Sequence, residues 1–112
     1  MKGPEEIVQA QVDAYNARDI EAFVLCHHEE VELYQLGDKT PFAQGRLALR
    51  QRYSDLFDAS PNLHSEVITR ISHDHVVIDK ERIIGRKGRA PFEMIAVYEI
   101  QDGKIKTARF VM

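Results

Sequence analysis

Cysteine occurs once in these 112 residues, at Cys26, so no internal disulfide is available. It falls among Ala22, Phe23, Val24 and Leu25, where a buried structural thiol is expected rather than a nucleophile. There is no cysteine pair, and no two histidines lie three or four apart on a helix; His27-His28 and the His73-Asp74-His75 turn splay their rings, so no metal site is expected. Long apolar runs are absent too: nothing approaches the roughly 20 residues of a membrane helix, and the start from Lys2 to Glu6 lacks the hydrophobic stretch of a signal peptide. The expectation is a soluble cytoplasmic protein with no membrane partner. A net charge of -3 argues against nucleic acid as a partner, because phosphate binding wants a concentrated positive face. There is no internal repeat and no low-complexity segment. With 44% hydrophobic and 29% charged residues the proportions are ordinary, and 112 residues suffice for one domain, 1-112, around one core.

What is present is an unusual placement of two acids. Val77-Ile78-Asp79-Lys80-Glu81-Arg82-Ile83-Ile84 reads as a strand, and strand side chains alternate between faces, so Asp79 and Glu81 point the same way as Val77 and Ile83. If that face lines a pocket, the two charges repel across about 7 Å by roughly 2.4 kcal/mol at an effective dielectric near 20, enough to raise one carboxyl pKa by one to two units. In open water the same pair costs only about 0.6 kcal/mol and is a solubilising edge. Periodicity does not choose between them, because the opposite face (Val76, Ile78, Lys80, Arg82, Ile84) is equally mixed.

The order of elements narrows the fold. Pro4, Glu5 and Glu6 favour a helix start, and Ile7, Val8, Gln11, Val12, Ala14 and Tyr15 recur at helical spacing up to Asn16-Ala17-Arg18. Asp19 can cap a short second helix through Cys26. A strand follows at Val31 to Leu36, a loop at Gly37 to Pro41, and a third helix from Gly45 to Phe57 carrying Leu49, Tyr53 and Leu56. Strands are expected at Leu63 to Ile71, His75 to Ile84, Phe92 to Ile100 and Ile105 to Met112, the last two joined by an Asp102-Gly103 hairpin. The basic residues Arg82, Arg86, Lys87 and Arg89 straddle Gly85 and Gly88, and the expectation there is a solvated loop. Helices first and a meander after is the α+β pattern.

In this order, Ile7 to Tyr15, Asn16-Ala17-Arg18-Asp19, Glu29-Glu30-Val31, Gly45 through Tyr53 and Tyr98 through Ile105 resemble the nuclear-transport-factor-2-like superfamily, which includes ketosteroid isomerases and SnoaL-like polyketide cyclases. The resemblance covers nearly the whole chain. It implies a cone, a curved antiparallel sheet wrapped around a long N-terminal helix (α-α-β-α-β-β-β-β), with a ligand pocket inside and homodimers joined through the outer sheet face. It also implies that the usual isomerase groups are missing, because the oxyanion tyrosine, the base and the oxyanion acid fall on Gln11, Gln35 and near Ala96. A glutamine cannot abstract a proton at neutral pH, so standard ketosteroid isomerase activity is not expected. On the same alignment Asp79 and Glu81 face the pocket, opposite Leu49, Arg52 and Tyr53 of the third helix and Ala108, Phe110 and Met112 of the last strand.

Asp79, Glu81, Arg52 and Tyr53 are then the candidate catalytic set: one carboxylate kept ionised by Arg52, the other raised in pKa, and Tyr53 donating a hydrogen bond. The rival is a buried ion network that shapes the cone and does no chemistry. Gln11, Tyr15, Gln35, His64, Ala96, Tyr98, Phe110 and Met112 are the expected substrate-binding residues, with His64 a second proton carrier at the mouth. Glu32, Glu66, Arg70, Glu99 and Arg109 are expected on the outer face, with Ile105, Thr107 and Val111. Two functional expectations stand: a cofactor-independent acid-base enzyme of isomerase, cyclase or lyase type on a small organic substrate, and a non-catalytic small-ligand-binding or dimerisation module. No cofactor is expected in either.

Overall fold

The computed structural model describes residues 2–112. Proline has no backbone N–H to leave unpaired, and Pro4 opens α1 (Pro4–Ala17), with the Glu6 carboxylate accepting from the Gly3 N–H at 3.3 Å. Ile7, Val8, Gln11, Val12 and Ala14 are its buried residues. The helix stops where Arg18 turns into the left-handed region at φ 53°. Asp19 then caps α2 (Ile20–Leu25) as expected, accepting from the Ala22 N–H at 3.1 Å, a contact worth about 1 kcal/mol. α3 (Gly45–Ala59) runs two residues beyond its expected end.

Six strands follow the chain: β1 (His27–Gln35), β2 (Ala43–Gln44), β3 (His64–His73), β4 (Val76–Ile84), β5 (Phe92–Gln101) and β6 (Lys104–Val111). They form one sheet in the order β2-β1-β6-β5-β4-β3. The α+β expectation holds, with two refinements. The sheet is mixed rather than antiparallel, because β1 lies beside the last strand of the meander and pairs with β6 in parallel. Between the expected Gly37 to Pro41 loop and α3 lies the unexpected β2, which pairs with β1 through Glu32 and Leu33. α1 packs across β3, β4 and β6, while α3 lies on β1 and β2. Val8, Phe23, Leu33, Leu49, Leu63, Val77 and Ile105 are almost wholly buried in the core between helices and sheet.

Two bulges decide which side chains reach that core. β3 pairs Val67 with Glu81 but Thr69 with Lys80, so Ile68 is an extra residue and alternation reverses beyond it. Arg70 therefore stands opposite Asp79 on the inner face, correcting its expected place outside. In β6, Thr107 pairs with Glu99 but Ile105 with Ile100, leaving Lys106 extra. Ile105 turns inward and is fully buried, again contrary to simple alternation. A bulge carries no composition signal here, so neither reversal shows in residue type.

Candidate functional site

The strand that carries the two acids places them as predicted. Val77, Asp79, Glu81 and Ile83 are all buried on the inner face of β4, and Asp79 is completely shielded from solvent. A buried carboxylate needs a counter-charge. For Asp79 it is Arg70, whose Nε and Nη2 donate to Oδ1 and Oδ2 at 2.7 and 2.9 Å in a two-pronged fork. The remaining Arg70 Nη1 donates to Gln9 Oε1 of α1 at 2.9 Å. Hydrogen bonding to Asp79 raises the guanidinium pKa further. Arg52, the expected partner, is elsewhere: it is exposed on α3 with its guanidinium carbon 4.5 Å from the centre of the Phe42 ring. Arg52 lines the outer cleft rather than reaching the acids.

Glu81 has no such cation. Its Oε1 accepts from Ser65 Oγ at 2.5 Å and its Oε2 from the Tyr98 hydroxyl at 3.2 Å. Burial raises its pKa above the ordinary carboxylate range; the Ser65 hydrogen bond pulls it down, the Asp79 charge pushes it up, and the rise wins. Ser65 is held in turn by Asn16, whose side chain accepts from the Ser65 N–H at 2.7 Å and donates to its carbonyl at 3.0 Å. The chain reversal after α1 thus fixes the strand that presents Ser65 to Glu81.

Glu81 lines a small inner chamber of about 30 Å³, room for about one water-sized group. Gln11, Tyr15, His27, Tyr53, Ser65 and Tyr98 are its other polar walls. Gln11 is 7% exposed, and its Oε1 has no hydrogen-bond partner among the described residues. His27 is buried and its Nδ1 lies 2.8 Å from the Phe23 carbonyl, so Nδ1 carries the proton and Nε2 is left as the basic nitrogen. Burial lowers the His27 pKa to about 4, which keeps the ring neutral at physiological pH. Arg46 donates twice to the His27 carbonyl, at 2.9 and 2.6 Å, and pins the start of β1. Burial also pushes the Tyr53 hydroxyl up to about 12 and Tyr15 higher still, so both remain protonated donors.

Outside this chamber a cleft of about 410 Å³ opens to solvent, and Tyr15, Tyr53, Met94 and Phe110 belong to the walls of both. Its apolar surfaces come from Phe42, Leu56, Ile83, Phe92 and Met112; Arg52, Asp55 and Arg86 supply its charge. A volume above 300 Å³ suits a compact organic ligand.

The structure therefore brings together Glu81, Tyr53, Gln11, Tyr15, Tyr98 and Phe110 around the chamber, with Arg52 and Met112 at the cleft. Four expected residues stay out. Asp79 is behind the wall in the Arg70 fork. Ala96 is fully buried beside Asp79 in the sheet without lining either space. Gln35 is exposed at the end of β1, and His64 is exposed opposite Ile84, because the first β3 residue points outward from the Leu63 and Ser65 side. His27, Ser65 and Arg86 join the site without having been expected there. His27 shares alternation parity with Val31 and Leu33, and Ser65 with Leu63, so both were recoverable by extending the strand patterns. Among the described residues no three His, Cys, Asp or Glu side chains converge to hold a metal ion.

The SnoaL-like domain family matches residues 8–108, which includes every residue of the inner chamber except Phe110. The chain belongs to this family. Its fold is similar to that of an uncharacterised cystatin-fold protein from Novosphingobium aromaticivorans, with a TM-score of 0.90, 21% identity and full coverage of both chains. It is similar also to a ketosteroid-isomerase-like protein from Catenulispora acidiphila in complex with trimethylamine, with a TM-score of 0.79, 16% identity, and 96% of this chain against 85% of that one covered. An LEH-like epoxide hydrolase from M. tuberculosis gives a TM-score of 0.79 at 15% identity, covering 96% of this chain and 80% of that one. At such identities the likeness is one of fold. A comparison with curated proteins finds no match.

Proposed function

We propose that this SnoaL-like protein is a cofactor-independent acid-base enzyme acting on a compact organic molecule, with Glu81 as the group that carries the proton. The observation that supports it is a buried carboxyl with a raised pKa in the wall of a chamber that continues into an open cleft. Such a group holds its proton closer to neutrality than an ordinary carboxyl and can give or take it where water is excluded. Ser65 and Tyr98 position it. Tyr15 lies one helical turn beyond Gln11 on the same wall, so Tyr15 and Tyr53, together with the Gln11 amide, can donate to charge developing on a substrate oxygen. Asp79 and Arg70 act through Glu81 and are not expected to touch the substrate. One fold neighbour is in complex with trimethylamine and another is an LEH-like epoxide hydrolase, which agrees with a small substrate here.

A second reading is a non-catalytic binding module, favoured by the unmatched acceptor on Gln11, which asks for a hydrogen-bond donor on a ligand. Either way two copies are proposed to pair through the outer sheet face.

A carboxyl-carbon NMR titration, with Glu81→Gln to assign the signal, tests the enzyme proposal alongside deuterium exchange into a panel of small ketones, enones and esters. Glu81 is expected to titrate above 4.5, and any exchange found is expected to fall by about 10² or more in the Gln variant. An ordinary Glu81 titration, or exchange unchanged in the variant, overturns it. Saturable binding without exchange leaves the binding module.

A further inference from the structure

The chain is acidic overall, yet the opening of its cleft is basic. Arg52 and Arg86 line it, and Arg89 stands over Phe92, another of its residues, with the guanidinium carbon 3.5 Å from the ring centre. Asp55 is the single carboxylate in the lining, and it accepts from Gln51 at 3.5 Å. Ion pairs among the described residues involve neither Arg52 nor Arg86. Where arginine stacks on a ring, as Arg52 does on Phe42, it uses the face of the guanidinium. Its donors lie in the plane and remain directed outward, in the spacing that matches a carboxylate.

The segment carrying Arg86 is the solvated loop its composition suggests, but its backbone is held in place. Gly85 has φ +77°, and a β-carbon there would sit 2.0 Å from the Asn62 carbonyl oxygen, so the backbone passes too close for any other residue. Beyond it the Lys87 N–H donates to Ser60 Oγ at 3.0 Å, and the Arg89 N–H to the Arg86 carbonyl at 3.1 Å. Arg86 itself is half-buried. The end of α3 thus holds the loop, and both arginines are presented from fixed backbone.

We propose that the ligand of this site is a compact aromatic acid with a hydroxyl at its far end. Its carboxylate is received by Arg52 and Arg86, its ring lies between Phe42, Phe92, Met94 and Phe110, and its hydroxyl enters the inner chamber to donate to Gln11 Oε1. Each part answers a separate feature: unpaired cations at the opening, aromatic and thioether walls along the cleft, and a buried acceptor with no donor at the bottom. The positive opening in a negative molecule also draws such an anion toward the cleft before contact. The inference rests on the proposed function only in taking the cleft and chamber as one substrate site.

Isothermal titration calorimetry with 3-(4-hydroxyphenyl)propanoate, its carboxamide and 3-phenylpropanoate is the test. For the wild-type protein the carboxamide is expected to bind at least about tenfold more weakly than the acid, and 3-phenylpropanoate several-fold more weakly. Arg52→Gln together with Arg86→Gln, both on the surface of the opening, should abolish the preference for acid over carboxamide by weakening the acid far more than the carboxamide. Gln11→Leu should abolish the preference for the hydroxyl alone. Equal binding of acid and carboxamide, a preference surviving in the double variant, or no binding by any of the three overturns the proposal. Titrating Glu81 in the same samples separates the two ideas. A charge preference beside an ordinary Glu81 sinks acid-base catalysis alone, and a raised Glu81 without that preference sinks the aromatic acid alone.

Discussion

Glu81 and His27 line one small chamber, and burial moves their pKa values in opposite directions, each toward the neutral form. The consequences for stability have opposite signs. The folded-state pKa of Glu81 lies above its ordinary 4.5, so between those two values the folded protein holds a proton that the unfolded chain releases. That contribution is complete below 4.5 and is lost as pH rises through the raised value. His27 is depressed from 6.5 to about 4, so its contribution is complete above 6.5 and is lost as pH falls through about 4. Removing one titration uncovers the other. In Glu81→Gln the loss on the alkaline side disappears, and the variant is expected to gain on the wild type as pH climbs from 4.5 through the raised value. Thermal melts at half-unit pH steps measure this, and a difference between the two proteins that stays flat with pH contradicts a raised Glu81.

At the level of the element, strands were legible where alternation runs unbroken and failed where a bulge interrupts it. Val77, Asp79, Glu81 and Ile83 share one face, as alternation predicts, because β4 pairs with β5 without a shift; that this face is the inner one came from the family resemblance. Arg70 was misplaced because Ile68, the fifth residue of the neighbouring strand, is inserted there, and an isoleucine in a bulge looks like any other strand isoleucine. The error spread to the site: with Arg70 assigned outward, Arg52 was the remaining cation for the acids. Capping chemistry, by contrast, is local and transferred well, as Asp19 shows. Deleting Ile68 removes the extra residue but leaves Val67, Thr69 and Arg70 opposite Glu81, Lys80 and Asp79, so plain alternation then keeps Arg70 inward and the fork should survive. Arg70→Leu, by contrast, removes one partner of a buried pair and should cost about 3–5 kcal/mol. Urea denaturation checks both. A deletion that costs as much as Arg70→Leu means that the fork needs the bulge itself and not only the register.

For the whole molecule, the helices cover one face of the sheet and the other carries an apolar band. Pairing aligns Ile71, Ile78, Val97, Arg109 and Tyr34 in one row across β3, β4, β5, β6 and β1, with Arg109 stacked on Tyr34 at 4.2 Å. The next row adds Ile95 and Val111, and Ile71, Ile95 and Val111 are 61%, 40% and 43% exposed. A contiguous band of this kind on the flat side of a sheet is seldom left to water, and a two-fold copy of itself is its simplest cover. The charged neighbours suit that arrangement, since Lys80 is already paired with Glu93 at 3.5 Å and Arg109 lies 3.8 Å from Glu99. Light scattering behind gel filtration should therefore find a mass twice 12.9 kDa, and Val97→Glu, in the middle of the row, should halve it. Because Val97 faces away from the chamber, the raised Glu81 titration should survive in the monomer. A wild-type mass of one chain removes the dimer. Loss of the Glu81 shift on dissociation ties the chamber to the pairing of two copies, since the cone alone then does not keep that carboxyl dry.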